Sequence, residues 1–207
     1  SNVVAVLVEP IQGEGGIRTL DIDYLEQLRQ ICDEHNWLLM LDEVQCGMGR
    51  TGKWFAFQHT GILPDVMTLA KGLGSGVPIG ACLTAGKAVG LFKPGNHGST
   101  FGGNPLACTA GLTTLNIIEQ DKLLAHAESL GQFIRQGIAA ALQGVNGVKE
   151  IRGQGLMLGI ELDKPCGDLV KLALAQGLLT NVTADNVIRL LPALVMSQDE
   201  AQQLLDI

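Results

Sequence analysis

Apolar residues in the first part of the chain fall into two uninterrupted runs separated by a stretch with helical spacing. The runs VVAVLV (3–8) and WLLML (37–41) contain no polar residue, which is typical of parallel strands buried on both faces. Between them, from 25 to 36, apolar residues recur on one helix face, and Asp21 or Asp23 is placed to cap its start. Strand, helix and strand within about forty residues predict a βαβ unit with a right-handed crossover, and therefore an α/β sheet.

The same kinds of pattern continue towards the C-terminus. DVMTLA (65–70) and IGACLTA (79–85) predict further strands, the second at the sheet edge or antiparallel, and Asn104 with Pro105 predicts a capped helix that runs to 118. The later elements are a helix at 123–142, a turn at 144–147, strands at 148–153 and 155–162, a helix at 168–176 and short strands up to 191. We therefore expect two domains, one with a mostly parallel α/β sheet at 1–118 and a smaller α+β domain at 119–207.

Composition narrows the class of partner. The 207 residues are 46% hydrophobic and carry a formal net charge of −7 without a Lys/Arg cluster, which argues against nucleic acid or an anionic membrane surface and favours small substrates. No apolar run reaches the length of a membrane span and no signal peptide is evident, so we expect a cytoplasmic protein. The five cysteines are scattered without a C-x-x-C pair, so free thiols are expected and neither a disulfide framework nor a metal site.

Two chemically capable residues directly follow predicted strands. Asp42 comes after the run at 37–41 and Lys71 after the strand at 65–70. Each taken alone is typical of an ordinary strand end, but the carboxyl ends of parallel strands share one crevice, where ligands bind. A partly desolvated lysine is a nucleophile able to form a Schiff base, and a carboxylate opposite it suits the protonated ring nitrogen of pyridoxal phosphate.

Other motifs leave alternatives open. Gly47, Gly49 and Gly52 have the spacing of a dinucleotide-binding loop, but no evident helix follows and no ribose-binding acid stands at the right distance. The segment HGSTFGGNP (97–105) leads into a helix N-terminus and is either an anion site or an ordinary glycine-rich turn. Arg189 lies within a predicted strand, either exposed or gripping a carboxylate.

Five motifs together carry a resemblance to a known family. They are EPIQGEGG (9–16), LMLDEVQCGMGRTG (39–52), PDVMTLAKGLGSGVPIGA (64–81), HGSTFGGNPLAC (97–108) and IRLLP (188–192). In this order they resemble the class III, ornithine-type aminotransferases, which have fold type I and depend on pyridoxal 5′-phosphate. The resemblance covers essentially the whole chain.

The resemblance implies a role for each motif residue. Lys71 corresponds to the Schiff-base lysine, Asp42 to the partner of the pyridinium nitrogen and Gln45 to a group near the cofactor's phenolic oxygen. Ser99 and Thr100 correspond to the segment that reaches the phosphate of the neighbouring subunit's cofactor, which implies a homodimer with shared active sites.

The implied reaction moves the δ-amino group of N-acetylornithine to 2-oxoglutarate, giving glutamate, as in arginine biosynthesis. Glu14 and Arg189 correspond to a pair that lets one pocket accept both an ω-amine and a dicarboxylate. Succinylornithine, ornithine and 4-aminobutyrate are the alternative amines within the family.

The length departs from the family pattern. The N-terminal portion that carries the phosphate loop and the residue stacked on the cofactor is not recognisable, so we expect a C-terminal piece that exposes apolar surface. The isolated piece is expected to be inactive, and a folded, non-catalytic interaction fragment is the alternative of another class.

Overall fold

The computed structural model describes residues 2–207 and contains five helices and ten strands in that range. In chain order the elements are β1 Ala5–Val8, β2 Ile11–Gln12, β3 Arg18–Thr19, α1 Ile22–Glu34, β4 Leu38–Asp42, β5 Val66–Leu69, β6 Ala81–Thr84, α2 Pro105–Gln120, α3 Leu123–Ala141, β7 Val148–Gln154, β8 Met157–Leu162, α4 Leu169–Ala175, β9 Asn181–Thr183, β10 Val187–Leu190 and α5 Gln198–Asp206.

A four-stranded sheet organises the first of two compact units, which contains residues 2–10, Leu20–Met48 and Lys53–Asp121. Its strand order is β1-β4-β5-β6, with the first three parallel and β6 antiparallel at the edge. The predicted βαβ unit and the edge position of the 79–85 strand are therefore confirmed.

Helix α1 covers one face of this sheet. Its Leu25 and Cys32 pack with Leu39 and Leu41 of β4, because the apolar stripe of the helix and alternate residues of the strand meet. The helix ends at Glu34 rather than at 36, since Asn36 has a left-handed φ of 54° that stops it.

The opposite face of β1 differs from the sequence prediction. Leu7 is 59% exposed, so the prediction that this strand is buried on both faces is wrong within the described residues. The same observation confirms the expected exposed apolar surface, to which Val4, Phe101, Leu106 and Leu112 also contribute. Helix α2 begins as predicted, with the side chain of Asn104 capping the N–H of Ala107 and Pro105 in the first turn.

An antiparallel sheet organises the second unit, which contains Ile11–Thr19, Gly49–Gly52 and Lys122–Ile207. Its order is β7-β8-β10-β9, and helices α3 and α5 pack together over a core that includes Ile134 and Leu158. The short β2–β3 hairpin belongs to this unit although it lies near the start of the chain. The division of the whole protein into domains at residue 119 stays a prediction.

Two predicted absences concern the described residues 2–207. None of their helices has the length and apolarity needed to cross a membrane. Their five cysteines are free thiols, and no group of His, Cys, Asp and Glu among them is arranged to hold a metal ion.

Candidate active site

Asp42 and Lys71 lie at the same end of the first sheet, where its parallel strands have their carboxyl ends. Strands β4 and β5 are parallel, and Asp42 is paired in register with Thr68, three positions before Lys71. Both residues therefore follow the carboxyl ends of adjacent strands, which lie about 4.8 Å apart. This end is where ligands bind in open parallel sheets.

Lys71 opens a short 3₁₀ turn, Lys71–Leu73, in a constrained conformation. Its φ is +39°, in the left-handed region that a non-glycine residue rarely adopts. Such conformations cost about 1–3 kcal/mol and concentrate at functional sites.

The side chain of Lys71 is exposed, and its ammonium has no hydrogen bond or ion pair with residues 2–207. The expected partial desolvation of this lysine is thus wrong for the described chain, because no described segment covers the turn.

Asp42 has one carboxylate oxygen engaged and one available. Its Oδ1 accepts a hydrogen bond of 3.0 Å from the N–H of Val44, which fixes the orientation of the half-buried carboxylate. Its Oδ2 has no partner among residues 2–207, so it remains available to a cationic N–H. This arrangement fits the ring nitrogen of pyridoxal phosphate, and the unpaired amine of Lys71 fits its aldehyde.

Glu43 is the important residue that sequence analysis missed. Only 1% of it is exposed, and its carboxylate accepts hydrogen bonds from the N–H groups of Ala56 (2.8 Å) and Phe57 (2.9 Å) and from the thiol of Cys46 (3.2 Å). Burial raises the pKa of Glu43, although these three hydrogen bonds oppose the increase. The available signal was the period of two in a strand, which places residue 43 on the face opposite Asp42.

The turns that follow β4 and β5 touch each other. A Cβ on Gly47 would lie 2.6 Å from the carbonyl oxygen of Glu43 and 3.3 Å from a methyl of Leu69, and a Cβ on Gly72 would lie 3.2 Å from the Cβ of Met48. Gly47 is therefore required for this close approach, whereas a side chain at Gly72 would need Met48 to shift. Gln45 lies in the turn that follows β4, and its side chain is half-buried. In the described chain no α-helix directly follows the G-x-G-x-x-G spacing, which removes the structural basis for a dinucleotide site.

Ser99 and Thr100 lie in an exposed segment that precedes α2. The segment 97–103 has no helix or strand, and the hydroxyl of Ser99 accepts a hydrogen bond of 3.1 Å from the N–H of Gly102. Their predicted role towards a neighbouring subunit's phosphate stays a prediction.

Glu14 and Arg189 form an ion pair within the second unit. Arg189 Nη1 donates to Glu14 Oε1 at 2.6 Å, and its Nε donates to Asn181 Oδ1 at 3.2 Å. The side chain of Arg189 is only 9% exposed, whereas that of Glu14 is 71% exposed. Arg189 is therefore the buried member of the pair and Glu14 the exposed one.

Comparison with known proteins identifies the family. The chain matches the family "Aminotransferase class-III" over residues 1–207. The chain belongs to the class III aminotransferases. Class III aminotransferases are pyridoxal-phosphate enzymes, so the family and cofactor predictions are confirmed together.

Relatives of known identity include several class III aminotransferases. The acetylornithine aminotransferase of Nitrosomonas europaea is 61% identical over 201 residues, covering 97% of this chain and 51% of that protein. The acetylornithine aminotransferase of Methanocaldococcus jannaschii is 45% identical over 206 residues, covering 98% of this chain and 51% of that protein. The chain thus spans about half the length of these curated relatives.

A solved structure of a class III enzyme has the same fold. The ornithine aminotransferase of Toxoplasma gondii superposes with a TM-score of 0.94 at 40% identity, covering 99% of this chain and 50% of that one. Its crystals grown with oxidised glutathione show partial occupancy of pyridoxal phosphate at the active site. The predicted α/β, fold type I architecture is confirmed.

Proposed function

We propose that this chain is part of an aminotransferase that moves the δ-amino group of N-acetylornithine to 2-oxoglutarate. The observation that carries the proposal is the placement of Asp42 and Lys71 after adjacent parallel strands at one sheet edge. The choice of amine rests on relatives named acetylornithine aminotransferase at up to 61% identity. Arginine biosynthesis is the process that this reaction serves.

The residues of the sheet edge would divide the work. When bound, pyridoxal phosphate supplies an electron sink for the carbon that carries the amino group. Lys71 Nζ would bind the cofactor and then carry a proton to and from that carbon, Asp42 would hold the ring-nitrogen proton, and Gln45 would orient the ring from its phenolic side. Residues 1–118 would form part of the cofactor-binding domain and residues 119–207 the small domain.

The ion pair of the second unit would select between the two substrates. With Glu14 on Arg189, the guanidinium is neutralised and the pocket suits an amine substrate. With Glu14 turned away, Arg189 presents two N–H donors to the second carboxylate of glutamate or 2-oxoglutarate. The difference in exposure supports this division, because the buried Arg189 would stay in the sheet while the exposed Glu14 turned away.

A homodimer in the cytoplasm is part of the same proposal. The exposed apolar residues of α2 and the exposed segment of Ser99 and Thr100 support a surface that a second subunit covers. Thr100 would then reach the phosphate bound by the neighbouring subunit.

Steady-state kinetics of the full-length enzyme test the substrate assignment. kcat/KM is measured for N-acetylornithine, succinylornithine, ornithine and 4-aminobutyrate with 2-oxoglutarate, and Lys71→Ala serves as the inactive control. The expected result is a preference for N-acetylornithine. A preference for free ornithine or 4-aminobutyrate would replace the assignment with another member of the family.

Cofactor binding by the 207-residue chain itself is tested by colour. The full-length enzyme should become yellow with pyridoxal phosphate and Lys71→Ala should not. If the 207-residue chain folds but stays colourless, it is a non-catalytic fragment of an active parent.

A further inference from the structure

Arg152 is the most extensively bonded cation in the described second unit. From β7, its Nε donates to the carbonyls of Gly16 and Ile17 at 3.0 Å each, and its Nη2 donates to Gly16 at 2.6 Å. Its Nη1 donates to Glu161 at 2.6 Å and to Glu150 at 2.7 Å. All three nitrogens are engaged, and the side chain is 10% exposed.

The two carbonyls that Arg152 binds belong to an unusual turn. Gly16 has φ +99° and Ile17 has φ +53°, and a β-branched residue at positive φ is a genuine outlier. Ile17 is nevertheless fully buried. A strained turn persists only where its surroundings hold it, and Arg152 supplies charge-assisted bonds to it.

Glu161 completes this support. Its Oε2 faces Arg152 at 2.6 Å and Arg18 of β3 at 3.5 Å, so one carboxylate of β8 contacts both the arginine that binds the turn and the residue that directly follows it. The hydrogen bond from Arg152 lowers the pKa of Glu161, which keeps the carboxylate charged.

The supported turn follows Glu14 by two residues. The hydroxyl of Thr183 donates to the carbonyl of Glu14, and the carboxylate of Glu14 meets Arg189 Nη1 at 2.6 Å. The backbone of Glu14 is thus held on one side by β9 and on the other by the Arg152-bound turn. The position of this backbone decides how the Glu14 carboxylate is presented to Arg189.

We propose that Arg152 is a positioning residue that fixes the turn after Glu14 and thereby sets the preference of the pocket for an amine over a dicarboxylate. The inference rests on the proposed Glu14–Arg189 pair and extends it to a residue outside the pocket. Without Arg152 the turn relaxes, and the carboxylate of Glu14 pairs with Arg189 less often. Arg189 is then more available to a carboxylate of glutamate.

The test compares variants of the full-length holoenzyme in both half-reactions. KM and kcat are measured for N-acetylornithine and for glutamate in Arg152→Gln, Glu14→Ala and the double variant. Because loss of the charge-assisted hydrogen bonds lets the turn relax, Arg152→Gln should shift the kcat/KM ratio towards glutamate about tenfold, which corresponds to about 1.4 kcal/mol. The double variant should show the same ratio as Glu14→Ala alone. Arg135→Gln, an exposed arginine on α3 without an ion pair in the described residues, should leave the ratio unchanged.

Gly159→Ala provides a second route if Arg152→Gln does not fold. Its Cβ would lie 3.0 Å from the Cβ of Ile17 and 3.2 Å from a methyl of Val187, so it presses on the turn and on β10 without changing any charge. The same shift towards glutamate is expected.

The outcomes separate the two proposals. If Glu14→Ala shifts the ratio while Arg152→Gln and Gly159→Ala only lower thermal stability, the positioning role is overturned and the Glu14–Arg189 switch stands. If Glu14→Ala leaves the ratio unchanged, the switch fails and the role of Arg152 fails with it.

Discussion

Replacing Glu43 with glutamine should destabilise the protein by breaking a buried hydrogen-bond cluster. The carboxylate accepts from Ala56 N–H on Oε2 and from Phe57 N–H on Oε1. A glutamine offers one carbonyl oxygen and one NH₂ group, so one of these N–H groups would face another donor. The isosteric shape makes this a test of hydrogen bonding rather than of packing.

The magnitude follows from the number of acceptors lost. A buried donor left unsatisfied costs about 1–3 kcal/mol. Removing a buried charge recovers part of this cost, so the expected net loss is about 1–2 kcal/mol. For a chain of this size this corresponds to a decrease in Tm of about 2–8 °C.

Urea unfolding of the cofactor-free protein, followed by tryptophan fluorescence, measures the change. Glu34→Gln on the exposed face of α1 is the matched control and should stay within about 0.5 kcal/mol of the parent. If Glu43→Gln behaves like this control, the buried carboxylate does not hold the segment at Ala56 and Phe57.

The pH dependence of stability is an independent test, because the raised pKa of Glu43 fixes the direction in which stability changes with pH. Burial raises the pKa of Glu43 above its ordinary 4.5, so the folded state binds more protons than the unfolded state between the ordinary and the raised value. The stability that protonation contributes is therefore lost as pH rises through this window, and glutamine does not titrate. The difference in unfolding free energy between the parent and Glu43→Gln should become smaller as pH rises from 4.5. A difference that increases in this pH range would refute the reasoning.

Three further predictions follow from individual contacts. Asp42→Asn keeps an oxygen for the N–H of Val44 but loses the charge, so kcat should fall about 10²–10³-fold with little change in unfolding free energy; unchanged kcat would exclude the proposed role. Asp65→Asn should lower the free energy of unfolding by about 1–3 kcal/mol, because Asp65 accepts hydrogen bonds from Arg29 (2.8 Å) and from the N–H of Leu39 (2.9 Å). Asp33→Asn removes the charge of an exposed partner of the same arginine and should lower the free energy of unfolding by less than about 1 kcal/mol. Burial would raise the pKa of Asp65, but these hydrogen bonds outweigh burial and hold the pKa below its ordinary 3.8. The contribution of the Asp65 carboxylate to stability is therefore lost as pH falls through the lowered pKa. If parent and variant lost stability equally in acid, this explanation would be contradicted. Gly47→Ala should cost about 1–3 kcal/mol by thermal unfolding, while Gly61→Ala, whose Cβ meets nothing nearer than 3.9 Å, should cost much less.

Sequence patterns predicted the elements that depend on local signals. The apolar runs located β4 and β5, and the Asn104–Pro105 pair located the start of α2, because strand burial and helix capping involve residues close in sequence. The same reasoning placed Asp42 and Lys71 at one edge, since parallel strands align their carboxyl ends.

Features that depend on distant segments were not predictable in this way. The exposure of Lys71 and Leu7 reflects what does not pack over them, which no local pattern encodes. Glu43 looked like one more polar residue after a strand, although N–H groups 13 and 14 residues later make it a buried acceptor. Arg152 looked like an ordinary charged residue in a strand, because its partners are carbonyls 136 and 135 residues earlier.

The membership of the β2–β3 hairpin in the second unit has a consequence for biosynthesis. Glu14 meets a partner that is 175 residues further along the chain. At ribosomal speeds of about 5–20 residues per second, the hairpin emerges about 10–30 seconds before Arg189 exists. Until Arg152 has been made, 135 residues after Ile17, the turn lacks the guanidinium that binds its carbonyls, so the nascent hairpin is an early target for chaperones and proteases.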